Sequence, residues 1–127
     1  MALRSTQSNK YMWSLISQLA IATGTDEMEV YKAMLRLNKN YMWVLVETAK
    51  ANDFIVDWTA HGSGWMAERV KDKENGTAVK VYKGVSMYTQ EEQTALIRTI
   101  QEECKKVGIE TMTDRELAVL QEGTHND

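Results

Sequence analysis

The sequence predicts an α+β fold in which a small antiparallel sheet (one strand plus a hairpin) packs against helices. Three observations support this. Helical hydrophobic spacing with capping signals occurs near both ends of the chain. An uninterrupted apolar run at 41–46 is typical of a strand, and Asn75-Gly76 joins two runs of strand-forming residues. The predicted order is helix, helix, strand, helix, hairpin, helix and short helix, which leaves one sheet face open to a partner.

Two helices are predicted before the first strand. Ser5 or Ser8 can cap the first helix, which ends just before Gly24 because glycine suits the left-handed position past a helix end. Thr25 caps a second helix that runs to about Leu37. The stripe of the first helix that is expected to be buried consists of Met12, Leu15, Ile16, Leu19 and Ala22.

The middle of the chain supplies the sheet. Tyr41–Val46 is predicted as a strand, with a helix as the alternative, and Glu47–Trp58 is predicted as a helix. The hairpin pairs Trp65–Glu74 with Thr77–Lys83 through a type I′ turn at Asn75-Gly76. Because a two-residue turn fixes the register, this turn sets Lys71 opposite Lys80, Val70 opposite Val81 and Arg69 opposite Tyr82.

Two capping boxes mark the helices after the hairpin. Thr89 with Glu92 starts a helix that Gly108 ends, and Thr113 with Glu116 starts a short helix to about Gln121. The expected buried stripe of the longer helix is Leu96, Ile97, Ile100, Cys104 and Val107.

Length and composition favour one domain, 1–122, followed by a flexible polar tail at 123–127. Cys104 is the only cysteine, which fits a reducing cytosol, and no apolar run is long enough to span a bilayer. The net charge of −3 argues mildly against nucleic acid, but residues 1–83 carry eleven Lys and Arg against nine Asp and Glu. A localised basic patch is therefore compatible with the sequence.

No catalytic or metal-binding pattern is apparent. The sequence has no Ser-His-Asp arrangement, no phosphate-binding glycine loop and no paired Cys-x-x-Cys, and its two histidines are far apart. We therefore expect no enzyme activity, no metal and no cofactor. His61, beside two glycines, is the one residue for which a catalytic base on a mobile loop is an alternative.

The hairpin indicates a function, because alternation divides it into two surfaces. One carries Met66, Val70, Val79 and Val81 and is predicted to face the core. Cations interleaved with aromatic rings suit single-stranded nucleic acid, whereas a solvated outer face protected by lysines is the structural alternative. The residues of this second surface are Trp65, Arg69, Lys71, Lys73, Lys80 and Tyr82.

Two segments resemble the phage NinB/Orf family of recombination proteins. The first is the block Arg-Ser-Thr-Gln-Ser-Asn-Lys-Tyr-Met-Trp at 4–13, in which Arg4, Ser5, Asn9, Lys10 and Trp13 match the family pattern. The second is Tyr-Lys-Gly-Val-Ser-Met-Tyr-Thr at 82–89, which leads into the helix at 91–109. The sequence shows no counterpart of the N-terminal β region that longer members of the family carry.

The resemblance implies a non-catalytic, phage-encoded recombination accessory protein in the bacterial cytoplasm. It further implies a homodimer that binds single-stranded DNA and cooperates with the single-strand-binding protein of the host. Asn9 and Lys10 would contact phosphate near a helix N-terminus, and Trp13 would stack on a base or instead anchor the core between helices.

Combining the resemblance with the hairpin gives the predicted DNA-binding set: Arg4, Asn9, Lys10, Trp13, Arg69, Lys71, Lys73, Lys80 and Tyr82. The alternative is an interaction or dimerisation module that recruits replication or recombination partners without binding DNA. In that case the interface would be formed by Trp65 and Tyr82, or by Tyr41, Trp43 and Trp58.

Overall fold

The computed structural model describes residues 6–125, with side chains through residue 122. The α+β class and the element order are confirmed: five helices accompany one three-stranded antiparallel sheet with strand order β1-β3-β2. The elements are α1 (Thr6–Thr23), α2 (Glu27–Asn38), β1 (Met42–Val46), α3 (Ala51–Thr59), β2 (Met66–Lys73), β3 (Gly76–Tyr82), α4 (Gln90–Lys106) and α5 (Asp114–His125). Two short 3₁₀ turns, Thr48–Lys50 and Val85–Met87, precede α3 and follow β3.

The described chain separates into two compact units. The helical unit comprises the chain up to Asn38 together with the chain from Tyr88 onwards, and the sheet unit is Lys39–Met87. The sheet unit is therefore inserted between the second and fourth helices.

The helical unit contains α1, α2, α4 and α5, and its buried apolar residues come from all four helices. The predicted stripe of α1 is confirmed except that Ala20 is buried in place of Ala22, and Val107 of α4 is 46% exposed instead of buried. The buried residues include Met12, Leu15, Ile16, Leu19, Val30, Met34, Leu35, Leu96, Ile97, Ile100, Cys104 and Leu117.

The ends of these helices follow the predicted capping chemistry. Gly24 and Gly108 have φ of 65° and 78°, and the N–H of the residue after each donates to a carbonyl five residues back. Both capping boxes form, at Thr89 and at Thr113. The second helix is capped differently from the prediction, because the Asp26 carboxylate accepts from the N–H groups of Met28 and Glu29.

The last helix is longer than predicted. α5 continues to His125, beyond the predicted end at Gln121, and residues 126–127 of the predicted tail lie outside the described residues. Buried Gln121 donates to the Thr94 hydroxyl at 2.7 Å, which connects the last turns of α5 to α4.

The register of the hairpin differs from the predicted one. Lys73 pairs with Gly76, so the two turn residues are Glu74 and Asn75 instead of Asn75-Gly76. The predicted type I′ turn, which requires positive φ at both Asn75 and Gly76, is wrong, because Lys39 is the only non-glycine residue of the described chain with positive φ. An irregularity between Arg69 and Lys71 shifts the pairing by one further residue.

Close packing against β1 explains why Gly76 lies in the strand. Gly76 has φ of 143°, and a Cβ at this position would come within 2.7 Å of the Val46 carbonyl oxygen. Only glycine lets β3 approach β1 this closely. The glycine that suggested the turn is therefore required by the neighbouring strand.

Candidate functional site

Strand pairing divides the sheet into two faces, because residues paired across antiparallel strands point to the same side. We call one the Val79 face; it contains Met42, Val44, Val46, Ala67, Arg69, Asp72, Thr77, Val79 and Val81. We call the other the Lys80 face; it contains Trp43, Leu45, Met66, Glu68, Lys71, Lys73, Ala78, Lys80 and Tyr82.

The Val79 face is covered by α3 and the turn before it. Val79 and Val81 are buried, with 0% and 1% exposure, as the sequence predicted. Arg69, which was predicted on the opposite face, lies here and donates to Asn52 on α3 at 3.0 Å. This location of Arg69 follows from the irregularity between Arg69 and Lys71, which reverses the alternation of β2 and removes Arg69 from the cationic face.

A polar network closes the edge of the Val79 face. The Thr77 hydroxyl donates to Asp72 at 2.9 Å and lies 3.0 Å from the Thr48 hydroxyl. The Arg69 guanidinium contacts Asp72 at 3.0 Å. The hydrogen bond from Thr77, followed by that from Arg69, holds the pKa of Asp72 below its ordinary value. Arg69 and Asp72 therefore have structural partners within the sheet unit.

Lys80 lies at the centre of the other face, between an aromatic ring and a carboxylate. It pairs with Trp43 on one side and with Glu68 on the other. The Lys80 ammonium lies 4.4 Å from the ring centroid of Tyr41 and 5.4 Å from that of Trp43, within the range of cation–π attraction. The two rings meet edge to face at 5.9 Å, and Trp43 is 53% exposed.

Lys71 and Lys73 extend this face along β2. Both are exposed, and the register puts Lys71 opposite Ala78 instead of opposite Lys80. The predicted repulsion between Lys71 and Lys80 across the strands is therefore absent. The Lys80 face thus brings three lysines together with two aromatic rings that are at least partly exposed: Lys71, Lys73, Lys80, Tyr41 and Trp43.

Tyr82 shares this face but is not available to a ligand. Its side chain is only 2% exposed, and its hydroxyl donates to Glu68 at 3.2 Å. Its ring packs 5.7 Å from that of Tyr41. Tyr82 thus supports the partly exposed ring of Tyr41. Val70, which was predicted to lie in the core, is instead 53% exposed.

A second aromatic cluster surrounds the loop before β2. The rings of Trp58 and Trp65 meet edge to face at 5.3 Å, and His61 lies 4.9 Å from Trp65. The Trp58 indole N–H donates to the Tyr82 carbonyl at 3.0 Å. A Cβ on Gly84 would come within 2.2 Å of the Trp65 indole nitrogen, so this ring lies directly against the backbone.

His61, the candidate catalytic base, lies on the loop between α3 and β2. It is exposed, and its Nδ1 lies 3.0 Å from the carbonyl oxygen of Trp58. Among the described residues no group of three or more His, Cys, Asp or Glu side chains is arranged to hold a metal ion. Burial raises the pKa of the Cys104 thiol, and the charge of Glu103 adds to this effect, so the thiol is a poor nucleophile.

The remaining predicted residues belong to the helical unit. Asn9 and Lys10 lie in the first two turns of α1, with Lys10 exposed, and Arg4 lies outside the described residues. Trp13 is half-buried, and its ring packs 4.7 Å from that of Tyr31 on α2. The core-anchor alternative for Trp13 is therefore the one that the contact favours.

Trp43, the most exposed aromatic ring of the sheet unit, is absent from the predicted DNA-binding set. Tyr41 and Trp43 were proposed only as a protein interface, because the face to which they belong depends on how β1 pairs. A usable signal was present: alternation over Tyr41–Val46 puts Tyr41, Trp43 and Leu45 on the same side of a strand. The pairing of β1 with β3 brings these side chains beside Lys80.

No family model, curated protein or solved structure matches this chain. No helix in the described part of the chain combines the length and apolar character needed to cross a bilayer.

Proposed function

We propose that the chain binds single-stranded DNA on the Lys80 face without catalysing a reaction on it. The observation that supports this is the position of the Lys80 ammonium, 4.4 Å from the Tyr41 ring and 5.4 Å from the half-exposed Trp43 ring. A single strand presents bases that stack on aromatic rings and phosphates that attract cations. Both kinds of group are adjacent here on a rigid sheet.

The chemistry favours a single strand over a duplex. The bases of a duplex are stacked on one another, so their faces are not accessible to Trp43, whereas an unpaired base can lie on an exposed ring. Base–aromatic stacking contributes roughly 1–3 kcal/mol per base and tolerates any sequence. We therefore expect binding with little sequence preference.

Lys71, Lys73 and Lys80 supply the charge for phosphate contacts. If all three neutralise phosphates, the logarithm of the binding constant falls with the logarithm of salt concentration with a slope of about −2. Glu68, opposite Lys80, offsets part of this charge. Since the whole chain carries a net charge of −3, attraction is confined to this face and affinity is expected to be modest.

The biological setting rests on the resemblance to the NinB/Orf family. It supports a role as an accessory protein in phage DNA recombination in the bacterial cytoplasm, acting as a homodimer alongside the single-strand-binding protein of the host. Asn9 and Lys10 would add phosphate contacts at the start of α1. The ring and lysines of the Lys80 face support DNA binding independently of that resemblance.

The test is fluorescence anisotropy of a labelled single-stranded oligothymidylate at two salt concentrations. Lys80→Ala is expected to weaken binding several-fold. Lys50→Ala is the matched control, because Lys50 is exposed in the same unit but lies on the turn before α3 and pairs with Glu47 at 3.5 Å. Equal affinities for these two variants would contradict the proposal.

A second candidate function is a protein-interaction module that uses the same region. The exposed apolar side chains of β1 favour it, with Met42, Trp43 and Leu45 all more than half exposed. Under this alternative the parent protein shows no oligonucleotide binding at either salt concentration.

A further inference from the structure

β1 is an edge strand of the three-stranded sheet. It pairs with β3 on one side, and among the described residues no strand pairs with its other side. Its five residues, Met-Trp-Val-Leu-Val, include no charge and no proline. Natural sheets usually protect such edges from pairing with a lysine, a proline or a bulge, because the exposed N–H and C=O groups of an edge strand pair readily with another strand.

The side chains of β1 are exposed on both faces of the sheet. Met42 on the Val79 face is 58% exposed, and Trp43 and Leu45 on the Lys80 face are 53% and 51% exposed. A ligand on the Lys80 face alone would leave Met42 in water. A strand added at the edge would contact all three side chains, because it continues both faces at once.

We propose that β1 pairs antiparallel with β1 of a second copy of this chain, which joins two three-stranded sheets into one six-stranded sheet. The fit is self-complementary. A register centred on Val44 pairs all five residues of the strand and sets Trp43 of each copy beside Leu45 of the other. Apolar residues then meet apolar residues along the whole edge.

The charges that flank the strand favour a second copy as the occupant. Lys39 precedes β1 and Glu47 follows it. In the register centred on Val44, Glu47 of each copy lies opposite Tyr41 of the second copy and diagonal to its Lys39, and long side chains reach across such a diagonal. Glu47 is exposed and also lies 3.5 Å from Lys50 of its own chain, so Lys39 adds a second cation near it at each end of the edge, whereas a parallel arrangement would bring like charges together.

Pairing around a twofold axis has a consequence for the Lys80 face. The axis is perpendicular to the sheet, so the Lys80 faces of both copies lie on the same side of the joined sheet. If the proposed function holds, two sets of Tyr41, Trp43 and Lys80 form one continuous surface for a longer single strand. Dimerisation itself does not depend on that function.

The first test is sedimentation equilibrium of the full chain without nucleic acid. The parent is expected to show a concentration-dependent monomer–dimer equilibrium. Leu45→Lys should weaken association at least about tenfold, because it puts a charge at the paired edge. Val56→Lys is the matched control: Val56 is 64% exposed on α3 and lies away from the edge, so this variant should dimerise like the parent.

The second test uses crosslinking at the expected axis. In a Cys104→Ala background, Val44→Cys should form a dimer with a short thiol crosslinker, since facing residues of an antiparallel pair have Cβ atoms roughly 5 Å apart. Val56→Cys should not. A monomeric parent at all concentrations, unchanged association of Leu45→Lys, or equal crosslinking of the two cysteine variants would overturn the proposal. Oligonucleotide binding is measured separately, so failure of dimerisation is distinguishable from failure of the proposed function.

Discussion

The two aromatic clusters of the sheet unit differ in whether their rings are packed within the fold or exposed to solvent. In the Trp58 cluster (Trp58, His61 and Trp65), the Trp58 indole N–H donates to the Tyr82 carbonyl, and the Trp65 ring lies against Gly84. In the Trp43 cluster (Tyr41, Trp43 and Lys80), the Trp43 ring is half exposed and lies near an ammonium group. Similar residue types therefore hold the fold together in one place and form the proposed binding surface in the other.

The comparison shows why ring content alone does not identify a site. A ring whose N–H is bonded and whose face is packed has little left to offer a ligand. A ring that is exposed beside a cation keeps a face for stacking, and its neighbour keeps a charge for phosphate. Changes in the Trp58 cluster should therefore affect stability, and changes in the Trp43 cluster should affect binding.

The largest effect is expected from Gly84→Ala. The new Cβ would lie within 2.2 Å of the Trp65 indole nitrogen, so the rigid ring must move. Overpacking of this kind costs roughly 1–3 kcal/mol, and we expect the upper end, measured as the free energy of unfolding in urea. Ser86→Ala, at a nearby exposed position, is the control.

A double-mutant cycle sharpens this prediction. Trp65→Ala removes the ring that the new methyl group would meet, so Gly84→Ala should cost much less in that background. If the two losses simply add, Trp65 is not what restricts position 84.

The next largest effect is expected from Trp43→Ala. Loss of one stacking ring should weaken binding of a single-stranded oligonucleotide about tenfold, a change of roughly 1.4 kcal/mol, with little change in the thermal unfolding midpoint. Trp13→Phe is the control, because Trp13 packs on Tyr31 in the helical unit. Equal losses in both variants would argue against Trp43 as the stacking ring.

A smaller effect is expected from replacing both Lys71 and Lys73 with alanine. If each neutralises one phosphate, the salt slope should become shallower by about 1.4, since each contact to a single strand contributes about 0.7. Affinity should fall by a similar factor for every sequence tested. The control replaces Lys105 and Lys106 of the helical unit with alanine, which changes the net charge of the chain by the same amount. In this control the salt slope should stay at the parent value.

The smallest effect is expected at Asp72, on the structural face of the sheet. Its pKa is held below the ordinary value by the hydrogen bond from Thr77 and by Arg69, so its stabilising contribution is present at neutral pH. That contribution is lost as the pH falls from the ordinary Asp range, about 3.9, through the lowered pKa. Asp72→Asn should lack this part of the acid dependence in pH-dependent thermal unfolding, while oligonucleotide affinity stays unchanged.

The sequence predicted the elements better than it predicted their pairing. Capping boxes at Thr89 and Thr113 and the glycine at 108 act locally, and the helices begin and end as these signals indicate. Gly76 acts through β1, a strand about thirty residues earlier, since a Cβ there would collide with Val46. Local turn chemistry therefore predicted the wrong register. Arg69 was predicted on the wrong face for a second reason, because the irregularity between Arg69 and Lys71 reverses the alternation of β2 and no turn signal indicates it.

The candidate site was predictable in part for the same reason. Lys71, Lys73 and Lys80 share a face in both the predicted and the observed register, because the pairing beside the turn moves Lys71 from opposite Lys80 to opposite Ala78, and a shift of two residues keeps each side chain on its face. Tyr82 is on that face but buried, and burial depends on how Tyr41 packs, which no local pattern shows. Trp43 joins the site only through strand pairing.

The most direct test of binding on the Lys80 face is an NMR titration with single-stranded oligothymidylate. The indole N–H signals of the four tryptophans are monitored during the titration. We predict that the signal of Trp43, assigned with Trp43→Phe, shifts progressively, while those of Trp58 and Trp65 remain in place. Movement of Trp13 alone would locate binding at the start of α1. That outcome, or four unchanged signals at saturating oligonucleotide, would contradict binding on the Lys80 face.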